Sequence, residues 1–413
     1  MQSKGLPFPG GRPSRAERRA TLAAALGWGL DGFDFYLYVY ALGGVSATFA
    51  LSKASAGLLA TETLAASAVG GIVMGALADR IGRVRALTIS IAWYAVFTAL
   101  CGFAQNYAQL SVLRTLEGFG FGGEWAVGAV LAAEWARTAS RGRILGYMQS
   151  AWAVGWLCAN VAFVVVAATL HSPEAWRVLF FLGILPALAI FYVRRAARDA
   201  PAFAQTSARR VPPLAIFREG LGRSTLFATL LAIGVQSGYY ALFTWMPAYL
   251  ASARGLPSLA TGNYLYALIA GSFAGYVSAG HVNDALGRRP TFVLFSVCSA
   301  VMVPLYLLGV RENWELLPAG FVLGFFASGI FSGFGPFLTE LFPGSVRASA
   351  QAFCYNVGRG VAGAAPYLVG VLAARFPIGT AMICIAVVSY ALAIVAVLAL
   401  PETKGEPLER QTV

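Results

Sequence analysis

Seven ionisable residues stand inside otherwise apolar runs of this sequence: Asp31 and Asp34 in one run, Glu62 close enough to the outer end of a second to reach water, Arg114, Glu117 and Glu124 in a third, and Arg359 in a fourth. A charge in hydrocarbon costs at least a few kcal/mol unless it is paired or faces a water-filled cavity, so these residues mark either packing ion pairs or a functional pathway. The chemistry they support is binding and proton exchange. A guanidinium holds both oxygens of a carboxylate, and a carboxyl group screened from water can load and unload a proton near neutral pH. Arg359 is the expected anchor for a substrate carboxylate, with Arg114 as a second cation. Asp31 and Asp34 lead the candidates for the proton, followed by Glu117 and Glu124. Permanent Arg114–Glu117 or Arg359–Asp31 pairs that only fix helix packing are the alternative. Gln149, Trp152, Trp156 and Asn160 recur on one helical stripe, and Gln236, Tyr239, Tyr240 and Phe243 lie close together. Of these polar and aromatic groups, Asn356, Tyr239, Tyr240, Gln149 and Trp152 are expected at a substrate, with plain helix packing as the alternative for each.

Bond-breaking chemistry finds little support. His171 and His281 are the only histidines, the five cysteines form no C-x-x-C pair, and no G-x-x-x-x-G-K-[ST] or G-x-S-x-G motif occurs. No catalytic set, metal site or cofactor is therefore expected, and an ATP-driven pump or a membrane enzyme is disfavoured.

The elements that must position these residues are membrane helices. Hydrophobic residues make up 58% of the chain and charged residues 12%, with a mean hydropathy of +0.68, so lipid is the expected solvent. Apolar runs long enough to cross about 30 Å of hydrocarbon recur along the chain. They fall at 21–49, 56–78, 85–104, 107–134, 143–169, 176–196, 223–252, 258–285, 289–309, 314–341, 346–374 and 377–400. The reading is an all-α membrane protein of twelve transmembrane helices. The net charge of +12 is a topology signal: most Lys and Arg residues fall in the N-terminal tail and the even-numbered loops, as positive-inside orientation requires. Both termini are expected in the cytoplasm, in a plasma membrane of the bacterial inner-membrane kind. The partners expected are a small organic anion, protons and the bilayer, with no nucleic acid, and the chain is expected to be monomeric.

The sequence repeats itself. Gly75-Ala-Leu-Ala-Asp79-Arg80-Ile-Gly82-Arg83 returns as Gly280-His-Val-Asn-Asp284-Ala-Leu-Gly287-Arg288-Arg289, and Glu134 with Arg141 returns as Glu340 with Arg347. The chain thus divides into a tail (1–20), a six-helix bundle (21–196), a cytoplasmic linker (197–222), a second six-helix bundle (223–400) and a C-terminal tail (401–413). These loop charges are expected to gate, making and breaking ion pairs as the two pseudo-symmetric halves rock.

The glycine–arginine loop with its second copy, and Pro401-Glu-Thr-Lys-Gly405, resemble the major facilitator superfamily. Asp31-Gly-Phe-Asp34, Arg114-x-x-x-Gly118-x-Gly120-x-Gly122-Gly123-Glu124 and Tyr355-Asn356-Val-Gly358 resemble its sialate and monocarboxylate proton symporters. The resemblance implies secondary active transport by alternating access, with the loop motif bracing an outward-open state. The linker is short, and Ser67 stands before Ala68-Val69-Gly70-Gly71 where sialate carriers have a basic residue. A lactate- or pyruvate-like monocarboxylate is accordingly the expected substrate. Sialic acid, another metabolite:proton symporter, or an uncoupled facilitator or antiporter of the same fold are the alternatives.

Overall fold

A computed structural model describes residues 15–135, 141–188, 216–217, 220–343 and 346–404; within these, the side chains of 15–17, 20, 79, 125–127, 129–135, 141–143 and 348 lie outside the description. The described residues form helices and connecting turns, with no strand. The helical runs in chain order are α1 (Arg15–Thr48), α2 (Lys53–Ile81), α3 (Arg83–Cys101), α4 (Tyr107–Trp135), α5 (Arg141–Thr169) and α6 (Ala175–Leu188). They continue with α7 (Gly222–Ala253), α8 (Ser258–Leu286), α9 (Arg288–Gly309) and α10 (Asn313–Leu341). The last two are α11, made of Arg347–Ala362 and Ala364–Leu372 on either side of Gly363, and α12 (Ile378–Leu398). The expected spans are met to within a few residues, except that α1 begins earlier and that 189–196 of the expected sixth span lie outside the described residues. Most of the expected linker and tails lies outside the described residues.

Eight runs are long and apolar enough to cross a membrane on length and hydropathy alone. α1, α4, α11 and the shorter α6 are not among them, and the first three carry the six buried ionisable residues Asp31, Asp34, Arg114, Glu117, Glu124 and Arg359. The outward faces of the bundle carry exposed apolar side chains such as Val69, Val165 and Val388, as a lipid-facing surface requires.

The packing is pseudo-symmetric. α2 packs on α4 and α1 on α5 in the first six helices, and α8 packs on α10 and α7 on α11 in the second six. The halves meet along α2–α11 and α5–α8. Close approach there relies on backbone contacts: the Thr61 hydroxyl donates to the Gly363 carbonyl (2.6 Å), and the Asn160 amide donates to that of Gly262 (2.9 Å). The repeated loops are built alike. Gly82 (φ 98°) and Gly287 (φ 107°) turn α2 into α3 and α8 into α9 in a conformation that favours glycine. The following arginine then reaches back to the preceding helix, Arg83 to the Ala78 carbonyl (3.1 Å) and Arg288 to that of Asn283 (2.8 Å). The end of the bundle bearing these turns is called the arginine-loop end below.

Candidate functional site

The six buried ionisable residues separate into two centres at different depths. In the centre farther from the arginine-loop end, Arg114 Nη1 lies 3.0 Å from Glu117 Oε2, one helical turn away on α4, and each residue is 1% exposed. The Arg114 guanidinium sits 4.1 Å from the centroid of the Tyr38 ring on α1. The Thr98 hydroxyl of α3 donates to Asp34 Oδ1 (2.5 Å), and the Asp34 and Glu117 carboxyls are within hydrogen-bond reach of each other. Two neighbouring carboxylates in a water-excluded site repel each other, and one proton held between them would relieve that repulsion. One guanidinium, one carboxylate and one carboxylic acid then leave this centre neutral.

The second centre is assembled from three helices and spans the boundary between the halves. Arg359 of α11 is 1% exposed, and the Tyr240 and Tyr355 hydroxyls hydrogen-bond its guanidinium. Its Nε and Nη1 have no hydrogen-bond partner. The ring centroids of Tyr355, Phe121 and Trp28 lie 5.1, 5.3 and 5.9 Å from its Cζ, so aromatic faces wall the cation. Asp31 of α1 and Glu124 of α4 face the same region, buried at 0% and 1% exposure, and none of their four carboxyl oxygens has a hydrogen-bond partner among the described residues. A Cβ on Gly27 would overlap the Glu124 carboxyl, so that glycine lets the carboxyl lie against α1. Arg359 makes no ion pair with a described residue. Buried polar groups are ordinarily satisfied, and so many unpartnered charged atoms around one region mark a place built for something other than packing.

An aromatic septum closes this region on the side away from the arginine-loop end. The Tyr36 and Tyr239 hydroxyls are hydrogen-bonded across the two halves (2.7 Å), and the Trp152 indole N–H donates to Tyr239 (2.8 Å). Tyr36 stacks on Trp156 with ring centroids 4.2 Å apart, and Trp156 donates to the Tyr40 hydroxyl (2.9 Å). Beyond the septum a cavity of about 580 Å³ opens between the halves.

At the arginine-loop end of the second half, Arg288 forms a two-point ion pair with Glu340 of α10 (2.9 and 2.7 Å) and a further bond to Asp284 (3.0 Å). The segment after α12 clasps this network. Thr403 donates to Glu340 (2.8 Å), the Arg288 and Arg289 backbone N–H groups donate to Glu402 (2.9 Å each), and Lys404 donates to the Ala285 carbonyl (2.7 Å). Burial opposes ionisation of Glu402, but the backbone N–H groups of Arg288, Lys404, Arg289 and Thr403 outweigh it and hold the carboxyl below its usual range.

Of the residues singled out in the sequence, Arg359, Asp31, Glu124 and Tyr240 come together at the second centre, and Arg114, Glu117 and Asp34 at the first. Tyr239 and Trp152 stand in the septum. Gln149 is buried on α5, about one turn before Trp152. Asn356 packs against Gly71 of α2 and donates to the Ala352 carbonyl (3.0 Å), with its Oδ1 unpartnered. Asp284, Arg288 and Glu340 join in one network, and Arg347 donates to the Phe342 carbonyl (3.1 Å). Arg83 is buried at 4% exposure, unlike the exposed Arg80. The side chains of Asp79, Glu134 and Arg141 lie outside the described residues. Sequence reasoning missed Thr98, Tyr38, Trp28, Phe121 and Tyr36. Tyr36 and Tyr40, four residues apart, share a face of α1, a signal too weak to distinguish from ordinary core aromatics.

A profile of the Major Facilitator Superfamily matches residues 24–279 and 265–412. The chain is 38% identical over 402 residues to a protein described as a probable 4-methylmuconolactone transporter from Cupriavidus pinatubonensis, covering 96% of this chain and 93% of that one. It is 31% identical to the cis,cis-muconate transport protein of Acinetobacter baylyi, covering 94% and 95%. Among solved structures, the proton:xylose symporter XylE superposes with a TM-score of 0.75 at 18% identity, over 96% of this chain and 98% of that one, a likeness of fold.

Proposed function

The chain belongs to the major facilitator superfamily and is a secondary transporter of small metabolites, not an enzyme, and from that premise we propose that it carries a small organic carboxylate together with a proton. The observation that carries this reading is the Arg359 guanidinium, whose Nε and Nη1 have no hydrogen-bond partner among the described residues, beside two carboxyl groups that likewise have none. A carboxylate substrate accepts from Nε or Nη1 of Arg359, the two donors without a partner among the described residues. With Asp31 and Glu124 both ionised, that substrate would join a region already carrying an excess negative charge, and like charges in a low-dielectric site repel strongly. With Glu124 already holding a proton, binding requires one further proton on Asp31, and the substrate carboxylate takes over from Asp31 as the negative charge nearest Arg359. That exchange ties one carboxylate to one proton. The neutral Arg114–Glu117–Asp34 centre holds a proton between Asp31 and the far face of the membrane.

The aromatic walls favour a ring-bearing or unsaturated acid. Muconate and methylmuconolactone, named for two relatives, are unsaturated organic acids, and this class is preferred here over the lactate- or pyruvate-like acid suggested by the sequence resemblance. The halves are taken as 21–196 and 223–400, joined by a linker on the arginine-loop side. That side is assigned to the cytoplasm from the distribution of Lys and Arg, and the loop networks are assigned to gating. The test is uptake into proteoliposomes of labelled cis,cis-muconate, benzoate, lactate and sialic acid, with and without an inwardly directed proton gradient. Accumulation of an unsaturated acid only with the gradient is expected. Equilibration without accumulation would make the protein an uncoupled facilitator, and uptake of lactate or sialic acid alone would overturn the substrate class.

A further inference from the structure

The cavity beyond the septum is walled by α1 and the α5–α6 turn on one side and by α7 and the start of α8 on the other. Tyr40, Phe163, Trp176 and Trp245 line it. Their polar atoms are engaged within the protein: the Trp176 indole donates to Thr48 (2.9 Å), the Trp245 indole to the Pro366 carbonyl (3.0 Å), and the Tyr40 hydroxyl accepts from Trp156 (2.9 Å). What these side chains offer the cavity is therefore apolar surface.

Charge in the lining is one-sided. Lys53 lines the cavity, and no Asp or Glu does. Of the other basic residues of this end, His171 also lines the cavity, Arg311 and Arg375 do not line it, and two arginines are held by the protein itself. Arg177 is held by Glu174 and by the Gly102 and Ala104 carbonyls, and Arg254 is held by the Val310 and Arg311 carbonyls and by Asn313. Lys53 makes no side-chain hydrogen bond or ion pair with a described residue and is exposed. An ordinary solvated lysine needs no partner. This one stands at the rim of an aromatic cavity whose volume falls in the roughly 300–1,000 Å³ range of small-molecule sites.

We propose that this vestibule is a second, outlying binding site for small ring-bearing carboxylates, with Lys53 taking the carboxylate and the four aromatic side chains taking the ring. The site loads the Arg359 centre when the Tyr36–Tyr239 septum parts. The inference rests on the organic-acid reading above for its ligand class, but not on proton coupling.

The test uses Ser252→Cys, at an exposed position that lines the cavity, with the exposed Cys158 and Cys384 replaced by Ser. In proteoliposomes, the rate of alkylation by a membrane-impermeant maleimide is measured with millimolar benzoate or benzyl alcohol. Benzoate is expected to slow alkylation several-fold more than the alcohol does. Lys53→Gln should remove that excess, and Lys53→Arg should retain it. Arg359→Ala, which removes the central anchor, should leave the protection in place. No protection, equal protection by acid and alcohol, protection that survives Lys53→Gln, or protection lost in Arg359→Ala would each overturn the vestibule site. Uptake measured on the same vesicles reports on the transport reading separately, since protection requires no turnover.

Discussion

Arg114 and Arg359 are equally buried, at 1% exposure, yet only Arg114 has a carboxylate in ion-pair contact. The difference predicts different responses to substitution. Arg114→Ala strands Glu117 beside Asp34 and is expected to cost roughly 3–5 kcal/mol of stability, read as a lowered midpoint of thermal unfolding. Arg359→Ala breaks no ion pair with a described residue and is expected to lower the midpoint far less while abolishing transport. A matched loss of stability in both would assign Arg359 to packing. Tyr240→Phe removes one of the hydroxyls on the Arg359 guanidinium, and at about 0.5–1.5 kcal/mol for a hydrogen bond the expected result is a rise in KM of about two- to tenfold. An unchanged KM would show that Tyr240 does not orient the anchor.

At the scale of the helix, spacing explains both what the sequence revealed and what it concealed. Asp31 and Asp34 are three apart, which reads as one face, but three residues also turn the helix by about 60° from a full turn and rise about 4.5 Å. That offset is enough for Asp31 to address Arg359 while Asp34 addresses Thr98. Glu117 and Glu124 lie nearly on one line, but seven residues rise about 10 Å, so they too belong to different centres. The charged helices were legible; the partition into two depths was not, because it depends on how α1, α3, α4 and α11 are rotated and shifted against one another. Gly27 carries the same lesson, since nothing in its surroundings in sequence indicates that it makes room for Glu124. Gly27→Ala is expected to displace that carboxyl and cut gradient-driven uptake strongly, with the unfolding midpoint little changed; undiminished uptake would remove Glu124 from the coupling set. The clasp after α12 is a second element-scale case. A carboxyl held below its usual range contributes stability above its unfolded value of about 4.3, and loses that contribution as pH falls through the lower folded value. Glu402→Gln should therefore lower the hydrogen-exchange protection factors of the Arg288 and Arg289 amides at neutral pH, and wild-type protein should fall to the variant's protection, each measured against the intrinsic rate at that pH, only at strongly acidic pH.

At the scale of the whole molecule, the repeat in the loops and the alternation of basic residues were sufficient for a two-half, twelve-helix reading, because both signals follow from topology rather than from detailed packing. The closure of the site was not legible. It depends on Tyr36 of one half meeting Tyr239 of the other, residues far apart in sequence with no motif linking them. Alternating access requires the halves to separate at the arginine-loop end, where the Tyr147 ring of α5 meets the His281 ring of α8 with centroids 6.4 Å apart. Cysteines at these two exposed positions, joined by a short bismaleimide in a background lacking Cys158 and Cys384, should halt turnover, while the unlinked double variant transports. Full turnover after cross-linking would show that this end does not open.

The central claim is that Arg359 holds the substrate carboxylate while Asp31 takes the coupling proton, and it is tested most directly by comparing accumulation with counterflow in Asp31→Asn and Arg359→Ala. Counterflow exchanges labelled for unlabelled acid without net proton movement. Asp31→Asn should lose gradient-driven accumulation but keep counterflow, and Arg359→Ala should lose both. Accumulation retained in Asp31→Asn, or counterflow retained in Arg359→Ala, would contradict the account.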